Sequence, residues 1–176
     1  MKTFEFSIIA SGLDPTADDF ESRFYDAGCD DATIAFQKGH TIIDFARRAE
    51  RIEDAIASAV AGVTAAGAHV DRVEPDPLVS LSDIATRAGM TRAAITQYAK
   101  GQRGRDFPAP VAKITSDSAL WDWAAVARWL FRHDRLRRDE VVAAEAVRQV
   151  NLSLAAGEQQ VGPELKQRLH DFDAAL

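Results

Sequence analysis

The sequence predicts an α+β chain in two successive parts: a four-stranded antiparallel sheet with two helices, then a mostly helical segment. Three observations carry this. Over the first 76 residues, apolar positions recur at strand and helix periods in the order β-α-β-β-α-β. Pro75 and Pro77 then bracket a stiff linker. Beyond them the apolar spacing is largely helical, with capping residues and glycine stops.

Residues 3–10, TFEFSIIA, alternate and are rich in β-branched and aromatic side chains, so they form a strand with Phe4, Phe6 and Ile8 on one face. Asp14 followed by Pro15 predicts a helix cap with proline in the first turn. Phe20, Phe24 and Ala27 follow at helical spacing, and Gly28 ends the helix. Residues 32–36 and 41–45 are two short strands joined by a hairpin at Lys38 and Gly39. Ile52, Ile56, Ala59, Val60 and Val63 mark a second amphipathic helix that stops at Gly67, and residues 68–73 supply the last strand.

This order is the ferredoxin-like, split βαβ arrangement, with both helices on one face of the sheet. Phe4, Phe6, Phe36 and Phe45 are expected under the helices. An RNA-recognition surface would instead display aromatics on the open face. Residues 1–76 are read as a dimerisation or partner-binding platform, with a small-molecule effector domain as the alternative. No phosphate-cradling glycine loop and no metal-ligand cluster is evident. Cys29, Asp30, Asp31 and His40 read as packing and loop residues before they read as ligands.

Residues 79–101, VSLSDIATRAGMTRAAITQYAKG, predict two helices joined by a tight turn. Ser80 and Asp83 form a capping-box pattern, and Val79 and Ile84 fit a hydrophobic staple around it. Gly89 suits the left-handed turn after the first helix, with Met90 plugging the gap. Thr91 caps a second helix from about Arg92 to Lys100. Ile84, Ala85, Ala88, Ile95 and Tyr98 face inward. Arg92, Ala93, Thr96, Gln97 and Lys100 face outward. Arginine can fork onto guanine, glutamine can pair with adenine, and threonine suits a phosphate or a thymine methyl. An ordinary helical hairpin with a solvated polar face is the alternative.

The continuation, RGRDFPAPVAKITSDSALWDWAAVARWL (103–130), extends the pattern. With its FPAPV, its short hairpin and its tryptophan-rich strand running into VARWL, the stretch from about 79 to 131 resembles the winged helix-turn-helix of the MerR and excisionase class. The resemblance implies that the second helix enters the major groove and that a small β wing touches the adjacent backbone or minor groove. It matches Arg92, Ala93, Thr96 and Gln97 to the base-reading face and the segment around Lys113 to the wing. GQRGRD is longer than the family's link before FPxPV, which leaves the wing's placement open; Arg103 and Arg105 in it are candidate phosphate contacts. Ser82, Thr91, Lys100 and Lys113 complete the candidate DNA-backbone set.

In the tail, Asp122 caps a helix from about Trp123, with Val126, Trp129 and Leu130 inside and Trp121, Trp123 and Trp129 in the core. Arg128, Arg132, Arg135, Arg137 and Arg138 form a basic cluster that faces either DNA or the acidic first domain. A helix over residues 136–156 carries the stripe Leu136, Ala143, Val147, Val150 and Leu154. After Gly162 and Pro163, a second carries Leu165, Leu169, Phe172 and Leu176. Such stripes need a partner surface. The resemblance implies dimerisation; a hairpin folding back on its own chain is the alternative. The expected division is thus 1–76, 77–131 and 132–176.

Net charge is −6 in 176 residues, but its distribution is uneven. Residues 1–78 hold 7 Lys/Arg against 15 Asp/Glu, whereas residues 79–115 hold 6 against 2. The basic charge therefore sits where nucleic acid is expected to bind. A single cysteine excludes an internal disulfide and fits a reducing cytoplasm. The first twenty residues read as a strand, not as a signal peptide, and no apolar run is long enough to span a membrane.

The expected function is a cytoplasmic, dimeric, non-enzymatic regulator that binds double-stranded DNA, without cofactor or metal. An antitoxin-like interaction module that also binds DNA, and an excisionase-like architectural recombination factor, are the alternatives. The four histidines, His40, His69, His133 and His170, fall in no metal or triad spacing.

Overall fold

The computed structural model describes residues 1–176. Its elements are β1 (Lys2–Ser11), α1 (Phe20–Asp26), β2 (Ala32–Gln37), β3 (His40–Ala49), α2 (Ile52–Ala65) and β4 (His69–Glu74). They continue as β5 (Leu78–Val79), α3 (Leu81–Ala88), α4 (Arg92–Ala99), β6 (Trp121–Asp122), α5 (Trp123–Arg132), α6 (Arg138–Ala155) and α7 (Pro163–Ala175). The chain is mixed α+β, and none of its helices is long and apolar enough to cross a membrane.

Two compact units form. The first combines Met1–Pro75 with Ala146–Leu176; the second is Asp76–Glu145. The second unit is therefore an insertion, and the first is discontinuous in sequence. This differs from the division expected at 131/132: the chain from Ala146 onward belongs to the first unit, where Val147, Val150, Leu154, Leu165 and Leu169 of the tail stripes are buried.

In the first unit the four strands run antiparallel in the order β2-β3-β1-β4. Alternation places Phe6, Ile8 and Ala10 of β1 opposite Phe45, Ile43 and Thr41 of β3. All six are buried, and the Phe6 and Phe45 rings stack at 5.4 Å. This is the helix side of the sheet, since Arg47, two residues past Phe45, reaches Ser58 on α2. Phe24 of α1 and Ile56, Val60 and Val63 of α2 are fully buried. Removing a side chain of this size from water contributes about 1.5–3 kcal/mol. Phe36 shares the parity of this face but sits on the edge strand and remains 49% exposed, so only two of the four expected aromatics, Phe6 and Phe45, are buried.

The first helix is shorter than Asp14 and Pro15 suggest. Asp14 Oδ1 accepts from the backbone N–H of Thr16 at 2.9 Å and from its hydroxyl at 2.7 Å. That local turn competes with helix nucleation, and α1 starts only at Phe20.

Arg47 ties three segments together. Its Nε donates to Asp31 Oδ2 (2.8 Å) and its terminal nitrogens donate to Asp31 Oδ1 (2.7 Å), the Gly28 carbonyl (2.6 Å) and Ser58 Oγ (3.1 Å). The Arg47 hydrogen bonds hold the Asp31 carboxyl below its ordinary range, against a smaller opposing effect of burial. Cys29 is a packing residue. It is buried, burial pushes its thiol up, and a Cβ on Gly62 would lie only 3.0 Å from its Sγ.

The tail closes the sheet. β4 is an edge strand, and unpaired edge N–H and C=O groups are costly when covered. Two side-chain amides imitate a fifth strand. Val73 N–H donates to Asn151 Oδ1 (2.7 Å) and Asn151 Nδ2 donates back to the Val73 carbonyl (2.9 Å). Gln159 repeats the pattern at Val70, at 2.8 and 2.9 Å. Lys166 of α7 pairs with Asp54 of α2 at 2.5 Å, and Leu165 and Leu169 are buried.

Two outcomes follow for stability. Asp31→Ala strands a buried guanidinium and is expected to cost about 3–5 kcal/mol in urea unfolding. Because the Asp31 pKa is depressed on folding, its contribution is complete above the unfolded value near 3.8 and is lost as pH falls through the folded value. A titration of wild type against Asp31→Ala should show the two stabilities converging only below about pH 4. Asn151→Leu, which leaves the Val73 N–H and C=O under an apolar side chain, should cost about 1–3 kcal/mol, and hydrogen exchange should show the Val73 amide losing protection.

Candidate nucleic-acid interface

In the second unit the first helix is fixed at both ends. Asp83 N–H donates to Ser80 Oγ (3.1 Å), and Ser80 N–H donates to Asp83 Oδ2 (2.9 Å), completing the capping box. That backbone hydrogen bond, and then the one from the Ser80 hydroxyl, lower the Asp83 pKa. Gly89 ends α3 at φ 62, left-handed backbone that a side chain would resist. Met90 N–H closes the turn onto the Ala85 carbonyl at 2.9 Å. Thr91 then caps α4, its Oγ1 accepting from Ala94 N–H at 3.1 Å.

Ile84, Ala85, Ile95 and Tyr98 are buried between these helices, and Ala88 is half-buried. α4 consequently presents Arg92, Ala93, Gln97 and Lys100 to solvent. Thr96 is half-buried, and its hydroxyl donates to the Arg92 carbonyl at 2.8 Å. Its side chain retains acceptor capacity but is held back against its own helix, unlike the other three expected base readers.

The segment around Lys113 is a hairpin. Leu120 N–H donates to the Ala112 carbonyl (2.9 Å), and the Val111 and Ala112 amides donate to the Leu120 carbonyl (2.8 and 3.2 Å). Its returning arm continues into β6, which pairs antiparallel with β5. At the turn, Lys113 has φ 50 and its carbonyl accepts from both N–H and Oγ of Ser116. Val111 and Ile114 are exposed at 56% and 66%. Ser82, expected to meet a DNA backbone, is exposed on the first turn of α3.

The long link between α4 and this hairpin is ordered by Trp129. Its ring lies edge-on to Tyr98 (4.8 Å) and to Phe107 (5.0 Å), and it stacks on His133 (3.7 Å). Its Nε1–H donates to the Arg105 carbonyl at 2.8 Å. Gly104 passes so close that a Cβ there would sit 3.0 Å from Trp129 Cζ2. Arg103 lies 5.2 Å above the Tyr98 ring. Sequence reasoning identifies Arg103 and Arg105 but not the clamp that places them. The signal is present: two glycines flanking Arg103, and an aromatic at 107. Trp121 is held similarly, its Nε1–H donating to the Pro108 carbonyl at 2.9 Å.

Arg92, Lys100, Arg103, Arg105 and Lys113 are all exposed, and none is in an ion pair. Arg137, from the tail cluster, is instead turned onto Asp139 (3.2 Å) and Glu140 (3.6 Å). With Gln97, the exposed set combines fork-shaped donors, one amide and point charges, the equipment for carboxylate, phosphate or base-edge recognition. Comparison with known proteins found no matching family model, no matching curated protein and no matching solved structure.

The clamp can be separated from simple backbone strain. Gly101 and Gly104 both have positive φ, 69 and 72, but only Gly104 faces an obstacle within 4 Å. Gly101→Ala should cost about 1 kcal/mol, the lower end for a non-glycine residue held left-handed. Gly104→Ala should cost distinctly more and should shift the tryptophan emission, which Gly101→Ala leaves unchanged. Equal costs with unchanged emission would show that the link does not bear on Trp129.

Proposed function

We propose that this chain is a sequence-specific DNA-binding regulator, dimeric, cytoplasmic and non-enzymatic. In this reading the second unit is a winged helix-turn-helix of the MerR and excisionase kind, inserted into a ferredoxin-like first unit that serves as a dimerisation or partner platform. The observation that carries it is the outward face of α4. Arg92, Ala93 and Gln97 stand free at the start and middle of a helix whose opposite side is anchored by Ile95 and Tyr98. A reading helix uses its N-terminal residues on base edges.

The surroundings support the same reading. Thr91, Lys100, Arg103 and Arg105 lie at the two ends of α4, where phosphate contacts fix register without specifying sequence. The hairpin tip at Lys113 and Ile114 offers a charge and an apolar side chain of the sort that wings bring to a backbone or minor groove. Ser82, at the start of α3, fits a helix that crosses the backbone.

The test is fluorescence anisotropy of the full chain on DNA from upstream of its own gene, with scrambled DNA as control and salt varied. Gln97→Ala should relax specificity and cost about 1–3 kcal/mol, whereas Lys100→Ala should weaken all sequences alike and reduce the salt slope by about one. Arg92→Ala combined with Gln97→Ala should abolish the preference for the upstream fragment. A preference untouched by that double substitution would remove α4 as the reading element.

A further inference from the structure

We propose that two copies of this chain join through β2, edge to edge and antiparallel, to make one continuous eight-stranded sheet. This rests on the dimeric part of the reading above and not on DNA recognition.

The two edges of the sheet are treated differently. β4 is sealed by Asn151 and Gln159. β2 is the other outer strand, and its sequence, ATIAFQ, has no charge and no proline. Proteins that keep an edge solitary usually place such residues on it. The hydrogen-bonding parity is also fixed. The Asp31 carbonyl accepts from Ala46 N–H, so with the β2–β3 register the odd residues of β2 direct their polar groups toward β3. Ile34 and Phe36 then direct both N–H and C=O outward. Ala32 offers its carbonyl, its own N–H being bonded to the Cys29 carbonyl.

A second copy fits this edge with two-fold symmetry. When Ile34 lies opposite Ile34 of the second copy, Phe36 lies opposite Ala32, a large side chain against a small one. Beside Ala32 is a groove of 510 Å³ whose lining includes Tyr25, Cys29, Ala32 and Ile34, with Glu21 and Ser22 at its polar side. Phe36 and Tyr25, exposed at 49% and 67%, are the large apolar side chains left open on this side. In the paired sheet each Phe36 fills the other copy's groove beside Tyr25. The same register brings Lys38, just past one strand end, to Asp30, just before the other. Both are exposed. Charge at the two ends of the ladder is thus complementary under the symmetry that the apolar residues require, although the unit as a whole is acidic.

The experiment is sedimentation velocity of the full chain without DNA at ~100 µM, where a dissociation constant of ~10 µM still leaves most protein paired. Wild type should sediment at twice 19.2 kDa. Ile34→Pro removes an outward N–H without touching the ladder to β3, and should be monomeric with unchanged far-UV circular dichroism. Lys38→Glu should weaken the dimer at least tenfold, and Asp30→Lys added to Lys38→Glu should restore it. The charge pair decides the matter should the proline variant misfold. A monomeric wild type, or a dimer indifferent to Lys38→Glu and to its reversal, would overturn the proposal. Neither result bears on whether α4 reads DNA, which the anisotropy measurement decides separately.

Discussion

The pairing of Asn151 and Gln159 with the β4 backbone governs how this chain is organised. Four hydrogen bonds from two amide side chains satisfy the N–H and C=O of Val70 and Val73. An exposed edge needs no such partner, because water supplies one. A covered edge does, since each buried and unmatched backbone group costs about 1–3 kcal/mol. Covering β4 with α6 and the segment after it therefore requires acceptors and donors at fixed heights, and glutamine and asparagine carry both in one group. Once the tail is committed to β4, the residues between Pro75 and Ala146 become an insertion, and β2 remains as the unsealed edge.

The second unit depends in a similar way on Trp129. Between Gly104 and Trp121 the chain is loop and hairpin, with little regular structure to hold it. The indole supplies an apolar floor for Phe107 and Gly104 and a donor for the Arg105 carbonyl. Tyr98, on the inner side of α4, touches the same ring. The outward face of α4 and the two arginines after it are thus referenced to one side chain. Displacing that one ring would therefore disturb α4 and the link after it together.

Much of this is legible in the sequence, and the departures have specific causes. The strand and helix order of the first unit follows from periodicity, and the turn at Gly89 from its need for left-handed backbone. The buried set Ile84, Ala85, Ile95 and Tyr98 follows from helical spacing. The start of α1 departs from expectation because Asp14 with Pro15 is compatible with both a helix cap and an Asx-type turn, and only the latter forms. Parity assigns Phe36 to the core, but parity does not tell an inner strand from an edge strand. The tail is the larger departure. Its apolar stripes declare that a partner surface exists, while the amides that identify the surface, Asn151 and Gln159, look like ordinary solvated residues. Thr96 faces outward by spacing, yet its hydroxyl turns back to Arg92, a choice that helix geometry alone leaves open.

The discontinuity of the first unit orders events during synthesis. Residues 76–145 form one uninterrupted stretch, so their contacts are all available as soon as they leave the ribosome. The sheet that precedes them emerges earlier but lacks the cover of its β4 edge until Gln159 has been made. For that interval the nascent chain carries two open strand edges, one of them uncharged, and the inserted unit separates the sheet in sequence from the segment that completes it. Open edges of this kind are where growing chains on neighbouring ribosomes associate wrongly. The β4 edge is thus the last part of the sheet to be protected, and Asn151 and Gln159 are the residues that end its exposure.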